Sequence, residues 1–207
     1  EKDRVMPYSW KAETPLSNFE TRLDDAYRER KDPAVTVKFE IKNSKLNFSN
    51  NNKSYLLAWT TTPWTLPSNL ACAVGKDIDY SLITINSENY VIASGVLENY
   101  KKDLEGMKEI SKVKGKDLVG TIYNPIFPYF SNNKNSFKVL DADFVNTEEG
   151  TGIVHMAPGF GEDDQLICEN NNIPLVCPVD EQGKFTKEVS DYEGLLVFDA
   201  NEKIIAD

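Results

Sequence analysis

The stretch Ala58-Trp59-Thr60-Thr61-Thr62-Pro63-Trp64-Thr65-Leu66-Pro67-Ser68-Asn69 carries a strand into a proline turn and out toward a helix start. Residues 55–60 form a short, mostly apolar run that suits a central strand. Pro67 suits the first turn of a short helix over residues 67–73, where the missing N–H would have had no partner. Upstream, Val35, Val37, Phe39 and Ile41 alternate with Thr36, Lys38 and Glu40, the period of a half-buried strand. Downstream, residues 80–85 and 90–93, separated by polar residues 86–89, read as a hairpin. Residues 136–140 and 153–156 add two strands. Helices are expected over residues 95–104, from Glu162 through Leu166, Ile167 and Cys168, and over residues 200–206. The sum is a mixed α/β domain whose core is a closed or partly closed, β-barrel-like sheet covered by short helices.

Composition narrows the function classes. With 207 residues, 40% of them hydrophobic, the chain supports one sizeable core and is short for two. Residues 1–207 are therefore read as a single domain, with residues 1–34 as a peripheral arm. Asparagine-rich stretches at residues 47–52, 132–135 and 170–172 read as surface loops. The longest apolar runs, residues 55–59 and 195–198, fall far short of the roughly 20 residues of a membrane span. The charged residues 1–4 are not followed by an apolar signal region, so a soluble, cytoplasmic chain without a membrane partner is expected. Cys72, Cys168 and Cys177 are widely spaced, which speaks for free thiols rather than a disulfide framework or a zinc knuckle. The single histidine, His155, excludes a multi-histidine metal centre. A net charge of −10 argues against binding nucleic acid mainly by neutralising phosphates.

Two segments carry chemistry. In the first, Thr60, Thr61 and Thr62 each offer a hydroxyl that donates once and accepts twice and stays neutral at pH 7. Such groups hold a carbonyl oxygen, a hydroxyl or a water but do not act as strong bases. Alone, the triplet also reads as a β-branched strand end, with Thr65 or Ser68 capping the next helix. The second segment is Glu149-Gly150-Thr151-Gly152-Ile153-Val154-His155-Met156-Ala157-Pro158-Gly159-Phe160-Gly161-Glu162-Asp163-Asp164. Glycines flank a strand, Pro158-Gly159 breaks it, and acidic residues open a helix where the dipole favours negative charge. Neighbouring helix residues project about 100° apart, so Asp163 and Asp164 cannot both face one pocket. By themselves both aspartates also read as helix-start stabilisers, and His155 as a packed core residue.

Taken together, these blocks are recognisable. Residues 59–69 closely resemble the threonine-rich signature of the editing domain inserted in isoleucyl-tRNA synthetases, and residues 150–164 resemble that family's second editing motif. Pro15-Leu16-Ser17-Asn18-Phe19-Glu20 near the start agrees, as do Pro178-Val179-Asp180 and Gly183-Lys184-Phe185-Thr186 near the end. The likeness is specific among synthetases: Thr62 stands where valyl and leucyl relatives carry arginine, and Trp64 where they carry an acidic residue.

The resemblance implies the class I synthetase editing-domain fold and hydrolysis of mischarged Val-tRNA(Ile). A hydrophobic pocket gains only about 1–3 kcal/mol from one methylene, a magnitude known from synthetases of this kind, so binding alone cannot reject valine. By position, it implies that Thr60, Thr61 and Thr62 surround the terminal adenosine and the ester, and that Trp64 forms part of the wall. Asp164 would hold the α-ammonium by a charge-assisted hydrogen bond. His155 would line the side-chain pocket and exclude the larger amino acid. Asp164, Thr60 and Thr61 are thus the expected catalytic set, working by positioning a water rather than by covalent attack.

No metal or cofactor is expected in this domain. ATP and magnesium belong to an aminoacylation core whose His-x-Gly-His and Lys-Met-Ser-Lys-Ser signatures the sequence does not contain. The implied partners are the aminoacylated 3′ end of tRNA(Ile) and the rest of a larger synthetase chain, the piece itself being monomeric. The acidic charge is tolerable if only the flexible acceptor end enters, and it predicts weak tRNA affinity for the piece alone. The competing readings are valyl-type removal of threonine and a non-catalytic tRNA-end-binding or structural module.

Overall fold

Apolar alternation becomes strands in the computed structural model, which describes residues 4–24, 29–48 and 52–207. Of the N-terminal arm and the first asparagine loop, residues 1–3, 25–28 and 49–51 lie outside that description. The strands are β1 (Tyr8–Ser9), β2 (Thr14–Pro15), β3 (Val35–Asn43), β4 (Ser54–Thr60), β5 (Ala71–Val74), β6 (Asp79–Ile85), β7 (Glu88–Ala93), β8 (Lys108–Lys114), β9 (Ile122–Tyr123), β10 (Lys138–Asp141) and β11 (Ile153–Met156). Among the described residues three α-helices accompany them, α1 (Gly115–Leu118), α2 (Glu162–Asn170) and α3 (Asn201–Ala206), together with 3-10 turns.

Hydrogen bonding closes six strands into a barrel in the order β11-β5-β10-β9-β3-β4, with β4 returning to β11. The three-stranded flap β7-β6-β8 leaves the barrel at β4. One edge of β4 runs antiparallel to β3. The first half of its other edge, Ser54 to Leu56, pairs in parallel with β7. The end of that edge meets β11, also in parallel, with Trp59 opposite Val154. Parallel neighbours finish at the same rim of a sheet. The chain leaving β4 and the chain leaving β11 therefore emerge side by side, and this positions the site.

The hairpin of β6 and β7 turns on Asn86 and Ser87, both with positive φ, as a two-residue turn matching strand twist requires. Helices α2 and α3 lie where the sequence placed them, and residues 95–104 supply the 3-10 turn Ser94–Tyr100. The helix expected over residues 67–73 is not formed. A 3-10 turn, Pro63–Ser68, comes earlier, and Ala71–Val74 is a fully buried strand between β10 and β11. Pro67 falls inside that earlier turn rather than at the start of a helix. The run Ala71-Cys72-Ala73-Val74, apolar throughout, has no period to separate strand from helix.

The core gathers inside the barrel. Phe39, Leu56, Tyr123, Val139, Ile153 and Met156 are almost completely excluded from solvent. Phe39 meets Tyr123 edge-on, with ring centroids 5.0 Å apart. Deleting a phenyl from such a site removes its burial and leaves a cavity. Phe39→Ala is expected to destabilise the fold by about 3–5 kcal/mol, read as a fall in the urea midpoint at unchanged slope. Of the cysteines, Cys72 and Cys168 are buried, with thiols pushed up to about 12 by desolvation, while Cys177 is exposed. Among the described residues no helix is long and apolar enough to cross a membrane.

Candidate functional site

Where β4 and β11 end together, a cavity of about 280 Å³ opens. The first chain contributes Trp59, Thr60, Thr61, Thr62 and Thr65 to its lining. The second contributes Val154, His155, Ala157, Phe160, Gly161 and Asp164. Two stretches nearly a hundred residues apart thus share one hollow, because the parallel rung Trp59–Val154 aligns them.

The threonines form a linked set. Thr60 Oγ1 accepts the Thr62 N–H at 3.1 Å and lies 3.3 Å from Thr62 Oγ1, which is 3.3 Å from Thr65 Oγ1. Thr65 Oγ1 donates to the Thr62 carbonyl at 2.8 Å. Thr60 and Thr65 are buried, whereas Thr61 and Thr62 are exposed at the mouth. Thr65 and Ser68 lie inside the turn Pro63–Ser68, and the helix that either was expected to cap is replaced by strand β5. Thr65 instead faces the histidine.

His155 is clamped at both ring nitrogens, and the clamp fixes its proton. Thr65 Oγ1 lies 2.8 Å from Nε2, and Asn69 Nδ2 lies 2.8 Å from Nδ1. Asn69 Nδ2 also donates to the Ala71 carbonyl at 2.8 Å, while Asn69 Oδ1 accepts the Tyr123 hydroxyl at 2.7 Å. The amide nitrogen therefore faces Nδ1, which must accept. Thr65 has already given its proton to Thr62, so Nε2 must donate. The network assigns a neutral imidazole protonated at Nε2. Burial agrees, lowering the His155 pKa to about 3. A histidine so held is a fixed wall element rather than a general base.

That shift has a consequence for stability. The folded pKa lies below the ordinary 6.5, so between those values the unfolded chain binds the proton and the folded chain does not. Stability is expected to fall as pH drops from about 6.5 toward 3. His155→Gln should flatten that part of a urea-midpoint profile.

Helix α2 starts at Gly161 without a side-chain cap, and Glu162, Asp163 and Asp164 occupy its first turn, the position where the helix dipole stabilises carboxylates. Asp163 is exposed, while Asp164 is half-buried and turned to the cavity. Asp164 Oδ2 accepts the Ala157 N–H at 2.9 Å, tying the helix to the end of β11. Burial raises its pKa, opposed by the Ala157 hydrogen bond, and the Asp163 charge adds to the rise. Thr hydroxyls, a neutral imidazole and one desolvated carboxylate can bind a cation beside a polar ester and orient a water. Among the described residues no group of three or more potential ligands could hold a metal ion.

Trp64 stands elsewhere than the resemblance implied. It does not line the cavity but sits one layer behind, its ring 4.8 Å from Phe160 at 74° and 6.2 Å from Phe198. The Trp64 backbone N–H donates to Asn201 Oδ1 at 3.0 Å, tying the turn to α3, and the indole lines the adjoining groove. Phe160 supplies the wall instead. Sequence reasoning did not single out Trp59, Thr65, Asn69 or Phe160 as functional. All four lie within the two quoted blocks, but no spacing distinguishes the neighbour that reaches a cavity from the one that backs it.

Comparison with known proteins points the same way. No family model matches the chain. It is 58% identical to isoleucine–tRNA ligase of Rickettsia canadensis (strain McKiel) over 99% of its length, and 56% identical to that of Rickettsia prowazekii (strain Madrid E), again over 99%. The chain spans only about a fifth of these relatives, 19% and 20%. Among solved structures it resembles GlLeuRS-CP1, with a TM-score of 0.63 at 17% identity, covering 84% of this chain and 94% of that one. It also resembles the P. falciparum cytosolic leucyl-tRNA synthetase editing domain with insertions 1 and 3 deleted, with a TM-score of 0.60 at 13% identity over 83% and 95%. At such identities the structures speak for the fold alone.

Proposed function

We propose, from the premise that this chain belongs with the isoleucine–tRNA ligases and corresponds to their editing domain, that it hydrolyses the ester of Val-tRNA(Ile) made in error by the parent enzyme. The observation that carries the proposal is the meeting of Thr60, Thr62, Thr65, His155 and Asp164 around one cavity. Asp164 anchors the α-ammonium, the one group of an aminoacyl ester that calls for a carboxylate. The threonine hydroxyls hold the ester and a water in line, and the substrate's neighbouring ribose hydroxyl assists the attack. Water adds to the ester carbonyl, the acyl–oxygen bond breaks, and valine and tRNA leave. No side chain forms a covalent intermediate, and the rate comes from orientation and from fixed dipoles. His155, held rigid by Thr65 and Asn69, limits the side chain that fits.

The partners are the aminoacylated end of tRNA(Ile) and the remainder of the synthetase, which grips the tRNA body. Parallel deacylation assays on Val-tRNA(Ile) and Thr-tRNA(Val) test the reading. Faster clearance of the first supports it. Preference for the second assigns the cavity to threonine, and inertness toward both, with tRNA in excess, overturns a hydrolytic role.

A further inference from the structure

Gly161 precedes α2 as its N-cap residue, with φ −117° and ψ 130°, an extended backbone that any residue adopts. Conformation therefore does not call for glycine here. Capping does not call for it either, since serine, threonine, asparagine or aspartate would satisfy an N–H of the first turn that no side chain at this position caps. Space does call for it. A Cβ on Gly161 would lie 2.9 Å from both Cγ and Oδ2 of Asp164 and 3.2 Å from its Cβ, and these are its three nearest neighbours. Gly159, two residues earlier, differs. A Cβ there would meet the Val176 carbonyl oxygen at 2.2 Å, so that glycine serves main-chain packing.

Asp164 is the third residue of α2, where a side chain points back toward the start of the helix. Its carboxylate lies against the bare Cα of Gly161, and Oδ2 goes on to accept the Ala157 N–H at 2.9 Å. The same carboxylate lines the cavity. A methyl group at position 161 would strike Asp164 before anything else, and the carboxylate is the part free to turn away. We infer that Gly161 is a positioning residue, whose missing side chain reserves the place from which Asp164 presents its carboxylate to the α-ammonium of the substrate. The inference deepens the editing reading and rests on it. An anchor displaced by about 1 Å puts the ester out of line with the threonines, an error that can cost about 100-fold in rate.

Two hydrolysis-resistant probes, titrated calorimetrically into the chain, test the role: amide-linked valyl-adenosine, and its counterpart with hydrogen in place of the α-ammonium. Gly161→Ala is expected to weaken the first by about tenfold or more, part of what breaking a charge pair costs, and to leave the second unchanged. Urea titrations identify Asp164 as the group displaced. The midpoint shift caused by Gly161→Ala should be more favourable in an Asp164→Ala background, where only the 3.2 Å contact with Cβ remains. Equal losses for both probes, loss for neither, or equal midpoint shifts in the two backgrounds overturn the positioning role and leave the editing reading standing. A parent chain that binds both probes equally removes the ammonium anchor, and the role of Gly161 with it, but not the hydrolysis. Binding of neither probe sinks the positioning role and the editing reading together.

Discussion

Asp164→Ala, placed in the full-length enzyme, is expected to abolish clearance of Val-tRNA(Ile) while leaving formation of Ile-tRNA(Ile) nearly unchanged. The carboxylate is half-buried at the cavity end, and burial raises its pKa. An ammonium arriving there meets a charge poorly solvated by water, and the pair is correspondingly strong. Truncating one member of such a pair costs about 2–5 kcal/mol, a loss of roughly 30- to several-thousand-fold in the rate of deacylation. Because Asp164 Oδ2 also accepts the Ala157 N–H, alanine removes a structural contact as well. Asp164→Asn is the control, since an amide oxygen keeps that contact and only the charge is lost. Deacylation that survives both changes would refute the ammonium anchor. The raised pKa adds a pH signature. Clearance should decline on acidification at a higher pH than an ordinary carboxylate near 3.8 would give, because a protonated Asp164 no longer attracts the cation.

His155→Ala should produce the opposite kind of defect, too much hydrolysis. The imidazole cannot swing aside for a larger substrate, since Thr65 holds one nitrogen and Asn69 the other, each at 2.8 Å. Without the ring, one more methylene finds room, and correctly charged Ile-tRNA(Ile) becomes a substrate. One methylene governs discrimination of about 10- to 200-fold, so cognate deacylation should rise by up to that factor. The yield of Ile-tRNA(Ile) should fall in step. The variant also leaves Thr65 and Asn69 without their partner, a destabilisation of about 1–3 kcal/mol visible in a urea titration. A fold that weakens while the cognate product stays protected would assign His155 to packing alone.

How far these features are legible without coordinates differs from one to the next. The strand pattern of β3, β4, β6, β7 and β11 is written in alternation and turn residues. The edge strand β8, Lys-Glu-Ile-Ser-Lys-Val-Lys, escaped because lysines that protect an edge from other chains also dilute the apolar signal. Strand β5 escaped for the reverse reason, being apolar at every position. At the site, Asp164 over Asp163 was suggested by resemblance, and the structure shows the first facing the cavity and the second solvent. The histidine's tautomer and the part of Asn69 were not legible. They depend on the Tyr123 hydroxyl, which only the barrel brings to Asn69, and on the local turn that aims the Asn69 amide at the Ala71 carbonyl two residues on.

That closure bears on accuracy of another sort. Strand β11 lies against β5 with His155 opposite Cys72 and Val154 opposite Ala73. Successive residues of a strand point to opposite sides, so a slip of one place would bring Val154 or Met156 to the spot where the imidazole stands. The mesh of the sieve is thus calibrated by main-chain alignment. Mistranslation would result from a mispaired ladder even in a protein with every side chain intact.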